Sequence, residues 1–209
     1  YAEVIDAMTP AELETLRSLS DDPATFPEHP TGRAFGEERD HPLSRRQMLW
    51  LEHRFGVYFP WKVYFEMIPN RYWDGKSSGA GKDFTRLART YFPRTVDFVR
   101  ALPFSEIGRC NIMGLAPHDH GTVHRDGVPE DKPDVDHFIT LCPRPNKRLY
   151  LWDEEAREKT EVRGRAYWFN DSDYHGVEAD PFFRYSIRVD GVFRNDFLAE
   201  LARAHGAAR

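Results

Sequence analysis

Cysteine is scarce in this chain: among 209 residues there are only Cys110 and Cys142. Each lies in an apolar, strand-like stretch and neither has a partner at Cys-x-x-Cys spacing, which argues against a disulfide framework and for two free thiols. Long apolar runs are absent too, none approaching the roughly 20 residues that a helix needs to cross a bilayer. There is no basic surplus. The 29 Lys and Arg against 34 Asp and Glu give a formal charge of -5, and no stretch interleaves Lys or Arg with aromatics, so a nucleic-acid partner is not expected. The segment KSSGAG, between Gly75 and Gly81, lacks the remainder of a phosphate loop, which removes the nucleotide-binding reading and leaves a flexible connection. The chain starts at Tyr1 with no signal-peptide pattern, so a cytoplasmic protein is expected, and the missing initiator Met leaves room for residues upstream.

What is present is aromatic. Fifteen Phe, 9 Tyr and 5 Trp make up 14% of the residues, beside 30% charged side chains. That balance suits one soluble domain with a packed interior or an aromatic-lined pocket. Thr9, Pro10 and Glu12 spell a helix start, with Leu13, Leu16 and Leu19 as the apolar stripe and an end near Ser20. Proline and glycine between Asp21 and Pro42 predict an irregular excursion, followed by a helix from Ser44 towards Phe55 that Gly56 stops. VYFPWKVYFEMIP reads as a strand pair or a strand interrupted at Pro60. Lys82 to Tyr91 and Thr95 to Leu102 suit short helices.

After about residue 103 the pattern changes. IGRCNIMGLAP, VDHFITLCP, RLYLWD, GRAYWFND and FFRYSIRVDG are short apolar segments parted by Gly, Pro and charged turns, the pattern of a compact β unit. A closing helix capped at Asn195 follows, running to about residue 206. The expectation is a single domain over 1–209 of mostly β structure with flanking helices, an α+β class: a helical and irregular part over 1–103, a β core over 104–192, and the C-terminal helix over 195–206.

The chemistry concentrates in His124-Arg125-Asp126. On an extended segment residues two apart leave the same face, so His124 and Asp126 can converge on one ion, and a distant His175 completes a two-histidine, one-carboxylate face. Such a set leaves half an octahedron open, which suits iron(II) binding a co-substrate and dioxygen together, and zinc accepts the same ligands. PHDHGTVHRD also offers His120 and His124, four apart, as a different zinc pair. Nine residues after His175 comes Arg184. Alternation along FFRYSIRV sends Arg184, Ser186 and Arg188 to one face and Tyr185, Ile187 and Val189 to the other. A guanidinium grips a carboxylate through two parallel bonds, and a serine beside it adds a third. The bland alternative is that these histidines are incidental and Arg184 makes a structural ion pair.

From Ile107 to Val192 the chain resembles the iron(II) and 2-oxoglutarate dependent dioxygenases, in the branch similar to aspartyl/asparaginyl β-hydroxylases and proline cis-hydroxylases. The resemblance rests on NIMGLAPHDHGTVHRDG, HFITL, GRAYWFNDSDYHGV and FFRYSIRVDG. It implies a double-stranded β-helix, the cupin-like jelly roll, with His124, Asp126 and His175 as both metal ligands and catalytic residues. It implies Arg184 on the far carboxylate of 2-oxoglutarate, aided by Ser186, and His137 near the same co-substrate. Some close aspartyl hydroxylases lack the acidic ligand that Asp126 supplies here, and the first 100 residues match no member of the branch.

The activity so implied uses Fe(II), 2-oxoglutarate and O2 to hydroxylate an unactivated C–H bond, releasing succinate and CO2. Asn111, Met113, Arg188, Trp152 and Trp168 are the candidate substrate contacts, and His118 to Thr122 a candidate lid. A second anion-binding arginine favours a free or carrier-bound amino acid or related small metabolite as the partner. The alternatives are a peptide or protein side-chain hydroxylase, a non-catalytic β-fold binding module and a mononuclear zinc hydrolase.

Overall fold

In the computed structural model, which describes residues 8–21, 61–68, 75–126, 136–142 and 147–207, helix α1 (Pro10–Asp21) begins with the predicted capping box. The Thr9 N–H donates to Glu12 Oε2 at 2.8 Å and the Glu12 N–H to Thr9 Oγ1 at 3.1 Å, satisfying two donors of the first turn. The other Glu12 oxygen accepts from the backbone N–H groups of Arg94 and Thr95 at 3.0 and 3.3 Å. It thereby serves the start of a second helix whose own N-cap, Phe92, offers no side-chain acceptor. This double duty explains a glutamate buried to 3% exposure.

Strand β1 (Trp61–Ile68) leads to the segment around Gly75. The irregular excursion, apart from the Asp21 that ends α1, and the helix expected from Ser44 lie outside the described residues. KSSGAG is pinned rather than flexible. Glu106 accepts from Gly79 N–H and Ser78 Oγ, while Lys82 Nζ donates to the Gly75 and Gly108 carbonyls at 2.8 and 3.0 Å. Gly108 allows this strap to lie on the sheet, because a Cβ there would sit 2.6 Å from the Ser78 nitrogen and 2.7 Å from the Ser77 carbonyl carbon. Gly108→Ala is expected to lower stability by about 1–3 kcal/mol, the usual range for overpacking. A urea midpoint equal to that of the unchanged protein would show that the strap is not packed as described.

Two short helices, α2 (Arg86–Tyr91) and α3 (Pro93–Arg100), follow. Thr85 caps the first through Oγ1, which accepts from Ala88 N–H at 3.0 Å, and so moves its start four residues beyond Lys82. The remaining strands are β2 (Phe104–Leu115), β3 (Gly121–His124), β4 (His137–Leu141), β5 (Leu149–Asp153), β6 (Glu158–Glu161), β7 (Ala166–Tyr167), β8 (His175–Val177) and β9 (Arg184–Phe193). Helix α4 (Asn195–Ala207) closes the chain. Its first bond runs from Leu198 N–H to the Arg194 carbonyl, so the cap is Arg194, one residue before the expected Asn195.

Among the described residues all pairings are antiparallel. One sheet has the order β1-β2-β9-β4-β7 and the other β3-β8-β5-β6. From β2 onward the chain passes between the two sheets, staying in one only for the β5–β6 hairpin. That winding defines the double-stranded β-helix, a cupin-like jelly roll in a mixed α+β fold.

The larger sheet has two distinct faces. Its outer face places Cys110, Ile112, Leu141, Tyr185, Ile187 and Val189 against α2 and α3 residues such as Leu87, Val96 and Val99. Its inner face, turned to the smaller sheet, is partly apolar through Phe138, Cys142 and Tyr167. The rest of that face is polar: Glu66, Asn111, Arg188 and Thr140 form one register row across β1, β2, β9 and β4, each at most 8% exposed. Burying such groups is costly unless they serve one another or a ligand. Both cysteines are buried and unbridged. Among the described residues no helix is long and apolar enough to cross a membrane.

Candidate metal centre

His124 ends β3 and His175 begins β8, and the two are direct cross-strand partners. Their ring centroids lie 4.5 Å apart. Each Nδ1 reaches the carbonyl two residues earlier, Thr122 O at 2.7 Å and Asp173 O at 2.9 Å. A carbonyl only accepts, so each Nδ1 carries the proton and each Nε2 presents a lone pair. Both Nε2 atoms face Asp126 Oδ1, at 3.6 and 4.0 Å. Asp126 is held by its own N–H, which donates to the Asp171 carbonyl at 2.8 Å.

The donor set fits a metal ion. Ligand atoms of His124, Asp126 and His175 all lie within 4.8 Å of one another. Two imidazole lone pairs and a carboxylate oxygen are all acceptors, so their convergence is repulsive without a cation among them. Burial, the largest influence on His175, pulls its pKa below the usual imidazole value against the opposing charge of Asp126, which favours the neutral ring that ligation requires. Burial would raise the Asp126 carboxyl, but Arg188, then His175, His124 and Lys76, outweigh it and hold the group well below the ordinary carboxylate range. His120 does not join this group. The run expected as a lid is tied down instead: His118 N–H donates to the Asp180 carbonyl at 2.7 Å, and the Asp119 carbonyl accepts from Arg184.

The inner face of β9 carries Arg184, Ser186 and Arg188, as alternation predicts, with Met113 opposite Ser186 and Asn111 opposite Arg188. Arg188 is the one nearest the triad. Its Nη1 donates to Asp126 Oδ2 at 3.2 Å, Nη2 to Asp171 Oδ2 at 3.3 Å and Nε to Asp190 Oδ1 at 3.1 Å. Its guanidinium carbon lies 3.9 Å from the centroid of the Phe138 ring. Three carboxylates thus share an arginine that the sequence reading had offered to a substrate anion.

Ser186 and Arg184 lie about 7 and 13 Å farther along the strand, at the usual rise per residue. Arg184 is 1% exposed. It donates through Nη1 to Asp180 Oδ2 at 3.1 Å and to the Glu178 carbonyl, and through Nη2 to the Asp119 carbonyl at 2.7 Å. Its buried Nε–H has no hydrogen-bond partner among the described residues.

Lys147 was missed in the sequence. It is 4% exposed and its Nζ donates to Ser186 Oγ at 2.9 Å. Burial lowers its pKa to about 8, with Arg188 and Arg184 acting in the same direction. The pair Lys147-Arg148 reads as surface charge in a polar loop. In the fold Arg148 takes the outer position, on Asp180 at 2.9 Å, and the lysine points in.

Three residues expected at the site stand off the inner row. His137 shares its face with Ile139 and Leu141, away from the inner row. Its ring stacks on Phe193 at 4.7 Å and its Nδ1 accepts from the Phe193 N–H, so strand parity turns it away from the row that carries Arg184, Ser186 and Arg188. Trp152 alternates with Leu149 and Leu151, whose side chains join the inner apolar cluster, and so lies on the outer face of the smaller sheet. Trp168 stands 45% exposed, its Nε1–H on the Asp136 carbonyl at 2.9 Å.

No family model matches this sequence, and comparison with curated proteins finds no match. Among solved structures the chain is similar to an oxidoreductase of the 2OG-Fe(II) oxygenase family from Burkholderia pseudomallei, at 12% identity over 64% of this chain and 71% of that one, with a TM-score of 0.38. It is also similar to a Pseudomonas putida prolyl-4-hydroxylase, at 13% identity over 52% and 64%, with a TM-score of 0.31. A third is the viral collagen prolyl hydroxylase of Paramecium Bursaria Chlorella virus-1, at 9% identity over 72% and 92%, with a TM-score of 0.32. By its own strand order and side-chain geometry the molecule is a double-stranded β-helix protein with a two-histidine, one-carboxylate cluster.

Proposed function

We propose that this protein is an iron(II) and 2-oxoglutarate dependent oxygenase that hydroxylates an unactivated C–H bond. The observation that carries the reading is the convergence of the His124 and His175 Nε2 atoms on Asp126 Oδ1, above an inner strand face rich in cations. His124, Asp126 and His175 would hold the metal. Iron(II) bound there supplies the oxidation: one atom of dioxygen enters the substrate as a hydroxyl group and the other enters succinate as 2-oxoglutarate loses CO2.

The chain's own residues suit the dicarboxylate. Lys147 Nζ, Ser186 Oγ and the orphaned Arg184 Nε form a buried cradle for the far carboxylate, which relieves both the desolvation of Lys147 and its repulsion by the arginines. The Nδ1 bonds of both histidines keep their Nε2 lone pairs aimed at the metal position.

The substrate we favour is a peptide or protein side chain rather than a free amino acid. The expectation of a free amino acid relied on Arg188 as a carboxylate clamp, and Arg188 is occupied by Asp126, Asp171 and Asp190. The rim is open as well: the His124 and Asp126 side chains are 30% and 29% exposed.

Anaerobic addition of iron(II) with 2-oxoglutarate is expected to produce a weak visible charge-transfer absorption, which neither a zinc hydrolase nor a binding module yields. Folded protein without that absorption would overturn the oxygenase reading. Substrate class is then read by screening peptides and amino acids for stimulated succinate release together with a product heavier by one oxygen atom.

A further inference from the structure

The geometry points to Asp171 as the positioning residue for the carboxylate ligand, an assignment that rests on the metal reading above. Asp171 is wholly buried and grips Asp126 twice. Its carbonyl accepts the Asp126 N–H at 2.8 Å. Its carboxylate accepts from Arg188 Nη2 at 3.3 Å, while Nη1 of the same guanidinium holds Asp126 Oδ2 at 3.2 Å. Backbone and side chain of the ligand are therefore fixed by one closed circuit.

The circuit divides the work of the two Asp126 oxygens. Oδ2 is engaged by Arg188, and Oδ1 is the atom that faces both histidine Nε2 positions. A carboxylate free to rotate could chelate an ion through both oxygens and fill a position that a co-substrate needs. Arg188 cannot follow such a rotation, because its planar fork is held at the same time by Asp171 and by Asp190, and Asp190 in turn accepts from Arg109 Nε at 2.8 Å. The strap residue Lys76 extends the circuit to the surface, pairing with Asp171 at 3.5 Å and with Asp136. In this chain of ion pairs four carboxylates, Asp126, Asp136, Asp171 and Asp190, meet three cations, Arg109, Arg188 and Lys76.

The test is a titration of the full chain with cobalt(II) alone, followed by its visible ligand-field absorption. The unchanged protein should bind cobalt(II) and His124→Ala should not. Asp171→Asn keeps the shape of the side chain and removes its charge. It should weaken cobalt(II) binding by about 10–100-fold, the range for loss of a partner that orients a metal ligand, and alter the band intensities as Asp126 changes its mode of ligation. A residue needed only for folding would lower the melting temperature and leave the affinity and spectrum of the folded fraction as they were. Asp171→Asn with unchanged affinity and spectrum overturns the assignment while leaving the metal reading intact. Failure of the unchanged protein to bind cobalt(II) overturns both. Should Asp171→Asn not fold, Arg188→Lys decides, since it keeps the buried charge and loses the fork: weakened binding with a native circular dichroism spectrum supports the circuit, and unchanged binding refutes it.

Discussion

His124→Ala should give a folded protein that has lost its metal and forms no succinate. The ring is 30% exposed and its Nδ1 bond is made to a carbonyl in its own strand, so removing it opens no deep cavity and the melting temperature without metal should hardly move. Metal affinity should fall by more than the roughly 100-fold that the loss of an outer partner costs. Thermal stabilisation gives an independent readout. A metal at 100 times its Kd stabilises the folded state by about 2.7 kcal/mol, and that gain should be seen with the unchanged protein and vanish in His124→Ala. Asp126→Ala should do the same, and succinate turnover surviving in either variant would point to another ligand set.

Lys147→Met should make the protein more stable and worse at its reaction. A buried ammonium beside two arginines is replaced by an apolar side chain of similar volume, a change that is commonly neutral or stabilising by about 1–4 kcal/mol. Co-substrate binding should move the other way. Losing one partner of a buried charge-assisted bond costs about 2 kcal/mol or more, which is roughly a 30-fold rise in the 2-oxoglutarate concentration required. Arg184→Ala should raise that requirement too, but it also removes the donor to Asp180 Oδ2 and to two carbonyls and should lower the melting temperature. Opposite shifts in stability with the same shift in co-substrate requirement separate a binding cation from one that also holds the fold together. Unchanged 2-oxoglutarate saturation in Lys147→Met would remove the lysine from the cradle.

The pH dependence of Lys147 follows from the same burial. Its pKa is lowered from the ordinary 10.5 to about 8 in the folded protein, so below about 8 both folded and unfolded chains carry the proton and the full cost of the buried charge is present. Between these values the unfolded chain binds more protons. The stability contribution of this residue therefore rises with pH across that window. The 2-oxoglutarate requirement should rise there as well, because the ammonium that receives the carboxylate is lost.

Much of the site is legible in the residue order because its parts are locally encoded. His124 and Asp126 share a face by the two-residue period of a strand, and the same period sends Arg184, Ser186 and Arg188 inward. Thr9 and Glu12 encode their helix start through side chains that reach only three residues. The failures have a common origin in register and in side-chain partners distant along the chain. Strand β6 has four exposed residues and no apolar alternation to betray it. It forms because the turn after Asp153, whose Oδ1 accepts from Glu155 and Ala156 N–H, folds the chain back along β5. His137 has the composition of a site residue and the wrong parity, which only its pairing with β9 reveals.

By itself, then, the sequence determined that His124 and Asp126 share one face and that a run of cations points inward on the last strand, because alternation acts over a few residues, while the pairing of β3 with β8 brought His175 to them. Only the tertiary structure decided what those cations do. It gave Arg188 to three carboxylates, enclosed Arg184 among Asp180 and two carbonyls, and turned Lys147 inward while Arg148 stayed outside. The physical reason is that a buried charge is settled by the partners that the packing of two sheets brings to it, and those partners lie up to 65 residues away along the chain.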